Sequence, residues 1–136
     1  METAALTNTQ VVQQAYGYFG QGNIPALLDQ LTDDVKWTVA GPTNILPWVG
    51  NRKGKQEVAE FFRLVDENNE FLQFEPREFI AEGDKVVTLG FLEAKSKKTG
   101  RVSKSEWAMV FTFKNGKICE HMQYSDTYDA VEAFRQ

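Results

Sequence analysis

Cysteine and histidine are nearly missing from this chain. One of each occurs in 136 residues, beside four prolines, and basic residues are outnumbered 15 to 19. A lone cysteine closes no disulfide within the chain, which fits a reducing compartment and the expectation of a cytoplasmic protein. The acidic balance leaves no basic stripe for a nucleic-acid partner. The one basic cluster, "KSKKTGR" at 95–101, has the composition of a hairpin tip. No apolar run approaches the length of a membrane span, so no membrane partner is expected. The opening "METAALTNTQ" has neither the basic nor the apolar region of a secretory leader. Two potential soft ligands, Cys119 and His121, fall short of a zinc site, so no metal or other cofactor is expected. Repeats, low-complexity tracts and Pro/Gly/Ser linkers are all absent, so residues 1–136 should form one domain.

What the chain does have is periodicity. "NTQVVQQAYGYFGQGN" repeats Val11, Val12, Ala15, Tyr16 and Phe19 at helical spacing. Asn8 or Thr9 is placed to cap that helix, and Gly20 and Gly22 to end it. "NIPALLDQL" restarts a short helix, with Asn23 as cap and Pro25 in its first turn. "DVKWTVAG" alternates, with Val35, Trp37 and Val39 on one face of a strand. "PTNILPWVGNRKG" reads as a loop. "KQEVAEFFRLVDEN" predicts a third helix carrying Val58, Phe61, Phe62 and Val65 inward.

Strands follow. "FLQFEPREFIAEG" contains Pro76, which marks a bulge or an edge. "DKVVTLGFLEAKS" comes next. "RVSKSEWAMVFTFKNG" and "KICEHMQYSD" make a hairpin across Asn115-Gly116. A tail helix begins at Ser125 or Asp126. Consecutive strands give a mostly antiparallel sheet, with three helices on one face. The fold class is α+β, and a curved sheet under helices makes a cone with room for an apolar pocket.

"GNIPALLDQLTDDVKW", "VGNRKGKQEVAEFF", "EGDKVV" and "VFTFKNGKICEHMQYSDTYDAVEAF" together resemble the SnoaL-like branch of the nuclear-transport-factor-two-like superfamily, also called ketosteroid-isomerase-like. The resemblance spans about the whole chain. It implies the cone-shaped fold, an apolar pocket for a small hydrophobic molecule, and a homodimer built on the sheet's outer face. It does not imply one chemistry, because such folds host enzymes and binding modules alike. Ketosteroid isomerases place a carboxylate base where Val39, or its neighbours Thr38 and Ala40, stands here. Their protonated acid falls at about Met109, and their oxyanion tyrosine at about Ala15, flanked by Tyr16 and Tyr18. Limonene epoxide hydrolases place a carboxylate at Gln123, and SnoaL-type cyclases rely on an acid near it. Each of these carboxylates is missing.

The same resemblance sets strand parity. It turns Trp37, Val39, Ser105, Trp107, Met109, Phe111, His121 and Gln123 inward, with Cys119 deeper on the His121 face as a small buried hydrophobe. Of these, Trp37, Val39, Ser105, Trp107, Met109 and Gln123 are the expected ligand-binding lining, and His121 the acid or base of an isomerase, cyclase or dehydratase. The competing reading has His121 hydrogen-bonded to Ser105, Gln123 or a tyrosine and merely filling space. Tyr16 or Tyr18 could polarise a carbonyl, or could be a satisfied core phenol. The tryptophans could be core or ligand platforms. Asp126 reads as a cap, and Arg52 as a solvated loop residue or an attractor for an acidic group.

Overall fold

The computed structural model describes residues 6–135. Residues 1–5, the start of the opening segment, and Gln136 lie outside the described residues.

Helix α1 spans Asn8–Gln21 and buries Val11, Val12 and Ala15. Its cap is Thr7 rather than Asn8 or Thr9. The Thr7 hydroxyl accepts from the Gln10 amide at 3.1 Å, and Gln10 Oε1 accepts from the Thr7 amide at 2.9 Å. This reciprocal box satisfies two amides that the helix cannot. The helix stops at Gly22, which is left-handed with φ 72°. Helix α2, Ile24–Leu28, is capped by Asn23. Strand β1 runs Leu31–Val39, starting before the alternating stretch. Strand β2, Gly50–Lys53, lies inside the segment expected to be a loop. Four residues, the first of them a glycine, are too few to show a period. Helix α3, Lys55–Asn68, matches its expected span. Then come β3 (Asn69–Glu82), β4 (Lys85–Ser96), β5 (Val102–Lys114), β6 (Lys117–Ser125) and α4 (Thr127–Phe134), which Asp126 caps.

The six strands form one sheet in the order β2-β1-β6-β5-β4-β3, one strand more than the sequence pattern gives. Only the β1–β6 pairing is parallel. Strand β3 is an edge, and its register also slips between Pro76 and Glu78, so both readings of that proline hold. Asn115 and Gly116 have φ 53° and 81°, as a tight hairpin turn requires. The curved, unclosed sheet holds the helices on its concave face, and the buried side chains lie between them. On the opposite face Val110, Thr112, Glu120 and Met122 are half-buried and Tyr124 is exposed.

Two local devices shape the concave face. The first is a bulge in β6. Phe113 pairs with Ile118 while Thr112 pairs with Glu120, leaving Cys119 as an extra residue. Ile118 and His121 are therefore both buried, although strict alternation would put them on opposite faces. Cys119 is half-buried, which corrects the expectation that it would be a deep, fully buried hydrophobe. The second device is Gly90. A Cβ there would sit 2.2 Å from Trp107 Cζ2 and 2.5 Å from the Glu75 carbonyl oxygen. The missing side chain is what leaves room for the Trp107 indole beside β4.

Candidate functional site

A cavity of about 120 Å³ lies under the concave face. Ala15, Tyr16 and Phe19 of α1 and Phe61, Phe62 and Val65 of α3 wall it on the helical side. The loop between β1 and β2 contributes Leu46, Trp48 and Val49. Strands β1, β5 and β6 contribute Trp37, Val39, Ser105, Met109, Phe111, His121 and Gln123. Besides His121 and Tyr16, Asp126 is the one acid or base of the lining, and it is exposed.

Trp107 is on the same face but stands outside this wall. Its ring stacks on Phe74 at 5.1 Å with planes 14° apart, in a cluster with Tyr16. It is a core residue rather than part of the expected lining. Ser105 does line the cavity, but its hydroxyl is committed. It donates to the Glu106 carbonyl at 2.6 Å and accepts from the Asp126 amide at 2.7 Å. That clip fastens the start of α4 to β5.

Tyr16 is the tyrosine that reaches the cavity. Its hydroxyl donates to Met109 Sδ at 3.2 Å. A thioether is a weak acceptor, so an oxygen acceptor in the cavity would compete well for that proton. Burial holds the phenol above its ordinary pKa, so it is a donor and not a base.

His121 is 1% exposed. Its ring stacks on Trp37 with centroids 3.8 Å apart and planes 16° apart, and Phe111 covers it at 4.9 Å. Desolvation by these rings pulls its pKa down to about 4, against a smaller opposing effect of the Gln123 hydrogen bond. The imidazole is therefore neutral at physiological pH. Its Nε2 lies 3.1 Å from Gln123 Oε1. An amide oxygen only accepts, so Nε2 carries the ring proton and Nδ1 keeps its lone pair. That Nδ1 is buried with no protein partner, and so is the indole Nε1–H of Trp37. Each such group costs on the order of 1–3 kcal/mol when nothing satisfies it. The expected link from His121 to Gln123 is present. No bond joins it to Ser105 or a tyrosine among the described residues.

Arg52 was missed as a builder of the site. It faces inward beside its register partner Trp37. Its guanidinium donates to the carbonyls of Trp48 at 2.8 Å, Pro47 at 3.2 Å and Val49 at 3.5 Å, and lies over the Phe61 ring. These bonds pin the loop that supplies Leu46, Trp48 and Val49, and leave Arg52 committed rather than free for an acidic ligand. Its alternation within a four-residue strand is too short to have been read from sequence. Three clustered His, Cys, Asp or Glu side chains, the minimum for a metal, do not occur among the described residues. No helix there is long and apolar enough to cross a membrane.

This fold and cavity define a known class of protein. The chain belongs to the SnoaL-like domain family, whose model matches residues 12–121. It is similar in structure to a nuclear-transport-factor-two-like (NTF2-like) protein of unknown function from Burkholderia pseudomallei. The two are 27% identical with a TM-score of 0.88, over 96% of this chain and 100% of that one. An NTF2-like protein from Burkholderia xenovorans is 26% identical, with a TM-score of 0.87 over 98% of this chain and 100% of that one. TerC, co-crystallised with polyporic acid, is 24% identical with a TM-score of 0.84 over 95% of this chain and 98% of that one. At that identity the likeness to TerC speaks to the fold alone. No curated protein matches the sequence.

Proposed function

We propose that this chain binds a small, largely apolar molecule in the cavity under the sheet, with His121 as the polar anchor. The observation that carries this is the cavity itself, walled by aromatic side chains with the buried, neutral His121 among its few polar residues. Apolar walls with a few placed polar groups are the usual make-up of a small-molecule site. The test is a thermal-shift screen of small cyclic compounds against the wild-type chain and Val39→Phe. Val39 lines the cavity, and a ring in its place would fill it. Compounds should raise the melting temperature of the wild type and not of the variant. Equal shifts in both would place binding elsewhere.

A second reading is an isomerase, cyclase or dehydratase of the ketosteroid-isomerase-like kind. The unpartnered Nδ1 favours a base over an acid, since the ring holds no second proton at neutral pH. A base with a pKa near 4 is weak, so only an acidic C–H or O–H would suit it. Tyr16 would then polarise the carbonyl of the substrate. His121→Ala should cost about a hundredfold or more in turnover, and His121→Gln should not restore it. Turnover surviving His121→Ala would remove the residue from the reaction. The binding-only reading makes His121→Gln nearly silent for affinity. The family expectation of a homodimer through the face bearing Val110, Met122 and Tyr124 belongs to this proposal, and sedimentation at micromolar concentration tests it.

A further inference from the structure

The two ends of the Gln123 side-chain amide meet different surroundings. Gln123 lies on β6 between Val39 of β1 and Met109 of β5, its register partners. Both partners are buried, and all three residues line the cavity. The Gln123 side chain therefore stands on the concave face, with the cavity over it. Its Oε1 is taken, 3.1 Å from His121 Nε2. Its Nε2 donates to no protein group among the described residues. Unlike His121 Nδ1 and Trp37 Nε1, this nitrogen is not sealed off. An open –NH₂ group on a cavity wall offers two N–H donors to whatever enters.

His121 sets that polarity. Its Nε2–H donates to Oε1, which leaves the –NH₂ group as the free end of the amide. Turning the amide over would move the ring proton to Nδ1, which is sealed with no acceptor. Buried N–H groups without a partner are rarer than unfilled acceptors, so the ring favours the arrangement observed.

The matching ligand group is an acceptor with no proton of its own. A hydroxyl would have to place its proton, and Gln123 Oε1 already accepts from His121. An anion would lose its hydration and gain no cation, because the lining has no lysine or arginine and does have Asp126. Size is the remaining constraint. At about 120 Å³ the space is well below the roughly 300–1,000 Å³ typical of pockets for drug-sized ligands. An apolar cavity of roughly 150 Å³ in another protein accepts benzene, so one six-membered ring is the scale of occupant that fits.

Resting on the binding reading above, we infer that Gln123 is the specificity-determining residue of the cavity: its –NH₂ group, positioned by His121, donates to the carbonyl oxygen of a neutral, single-ring compound.

Cyclohexanone and methylenecyclohexane test this, since they differ only in an oxygen or a CH₂ on the same ring. Gln123→Met keeps the length of the side chain without the amide. Each ligand is compared between the two proteins, so its own hydration cancels. Isothermal titration should show cyclohexanone losing about tenfold in affinity in the variant, the size of one buried hydrogen bond. Methylenecyclohexane should hold its affinity or gain. The infrared carbonyl stretch of bound cyclohexanone should lie lower in the wild type than in the variant. His121→Phe keeps a ring against Trp37 and removes the donor, and it should show a smaller loss confined to the ketone. Because the chain has one histidine, its ring ¹⁵N signals are unambiguous, and they should report the proton on Nε2.

Cyclohexanone affinity unchanged in Gln123→Met would give the carbonyl to another donor and overturn the assignment, while leaving the binding reading standing. A ring proton on Nδ1 would do the same, and that measurement needs no variant. An equal loss of both ligands in either variant would make that residue structural only. No binding of either compound to the wild type at millimolar concentration would overturn this inference, and a blank result in the wider screen as well would remove the binding reading with it.

Discussion

Trp37 and His121 lie face to face across the parallel pairing of β1 and β6, as register partners 84 positions apart in the chain. That stack holds the imidazole dry. The unfolded chain takes up a proton on this ring near pH 6.5, and the folded chain only near pH 4. Between those values the unfolded state binds more protons, so stability falls as the pH is lowered. The contribution is complete above about pH 6.5 and is lost progressively down to about pH 4, amounting to roughly 3 kcal/mol. Denaturant unfolding at several pH values measures it. His121→Gln should flatten this part of the profile, and an unchanged profile would refute the account.

Gly90→Ala should destabilise the fold by about 1–3 kcal/mol, the usual cost of overpacking. The added Cβ meets both the Trp107 ring and a backbone carbonyl of the edge strand, and the carbonyl cannot rotate away. The urea midpoint is the measurement. A midpoint within error of the wild type would mean that the indole is free to move.

Arg52→Ala should loosen the loop at residues 42–49 by leaving the carbonyls of Pro47 and Trp48 without their donor. The expected loss is about 1–3 kcal/mol, with faster proteolytic cleavage inside the loop. Because the loop supplies part of the cavity wall, affinity for any cavity ligand should fall with it. Unchanged cleavage would show that the Trp48–Phe134 contact alone holds the loop.

Ser105→Ala removes the clip between β5 and α4. Stability should drop by about 1 kcal/mol, while ligand affinity stays the same, because the hydroxyl proton is already given to the Glu106 carbonyl. Calorimetry of folding and of binding on the same variant separates the two effects. A fall in affinity with stability unchanged would return Ser105 to the ligand.

Local pattern determined much of this protein. The spacing of Val58, Phe61, Phe62 and Val65 set α3, because a helix buries one stripe of its own sequence. Alternation from Ser103 to Phe113 set the inward face of β5, because a strand's side chains alternate strictly. The Asn115-Gly116 turn needs two positive φ angles, which few other residue pairs supply. Other features have no local signature. The bulge at Cys119 exists because β5 fixes the register of β6 on both sides of it. Trp107 left the cavity wall because Gly90, on the next strand, opened a place for its ring. The three carbonyls that hold Arg52 and the stack that keeps His121 neutral both require segments brought together by the sheet. The sequence determined which faces are apolar, since that depends on neighbours along one element. The tertiary structure decided which polar groups remain unpaired, since a hydrogen bond depends on distances between elements that no single segment encodes.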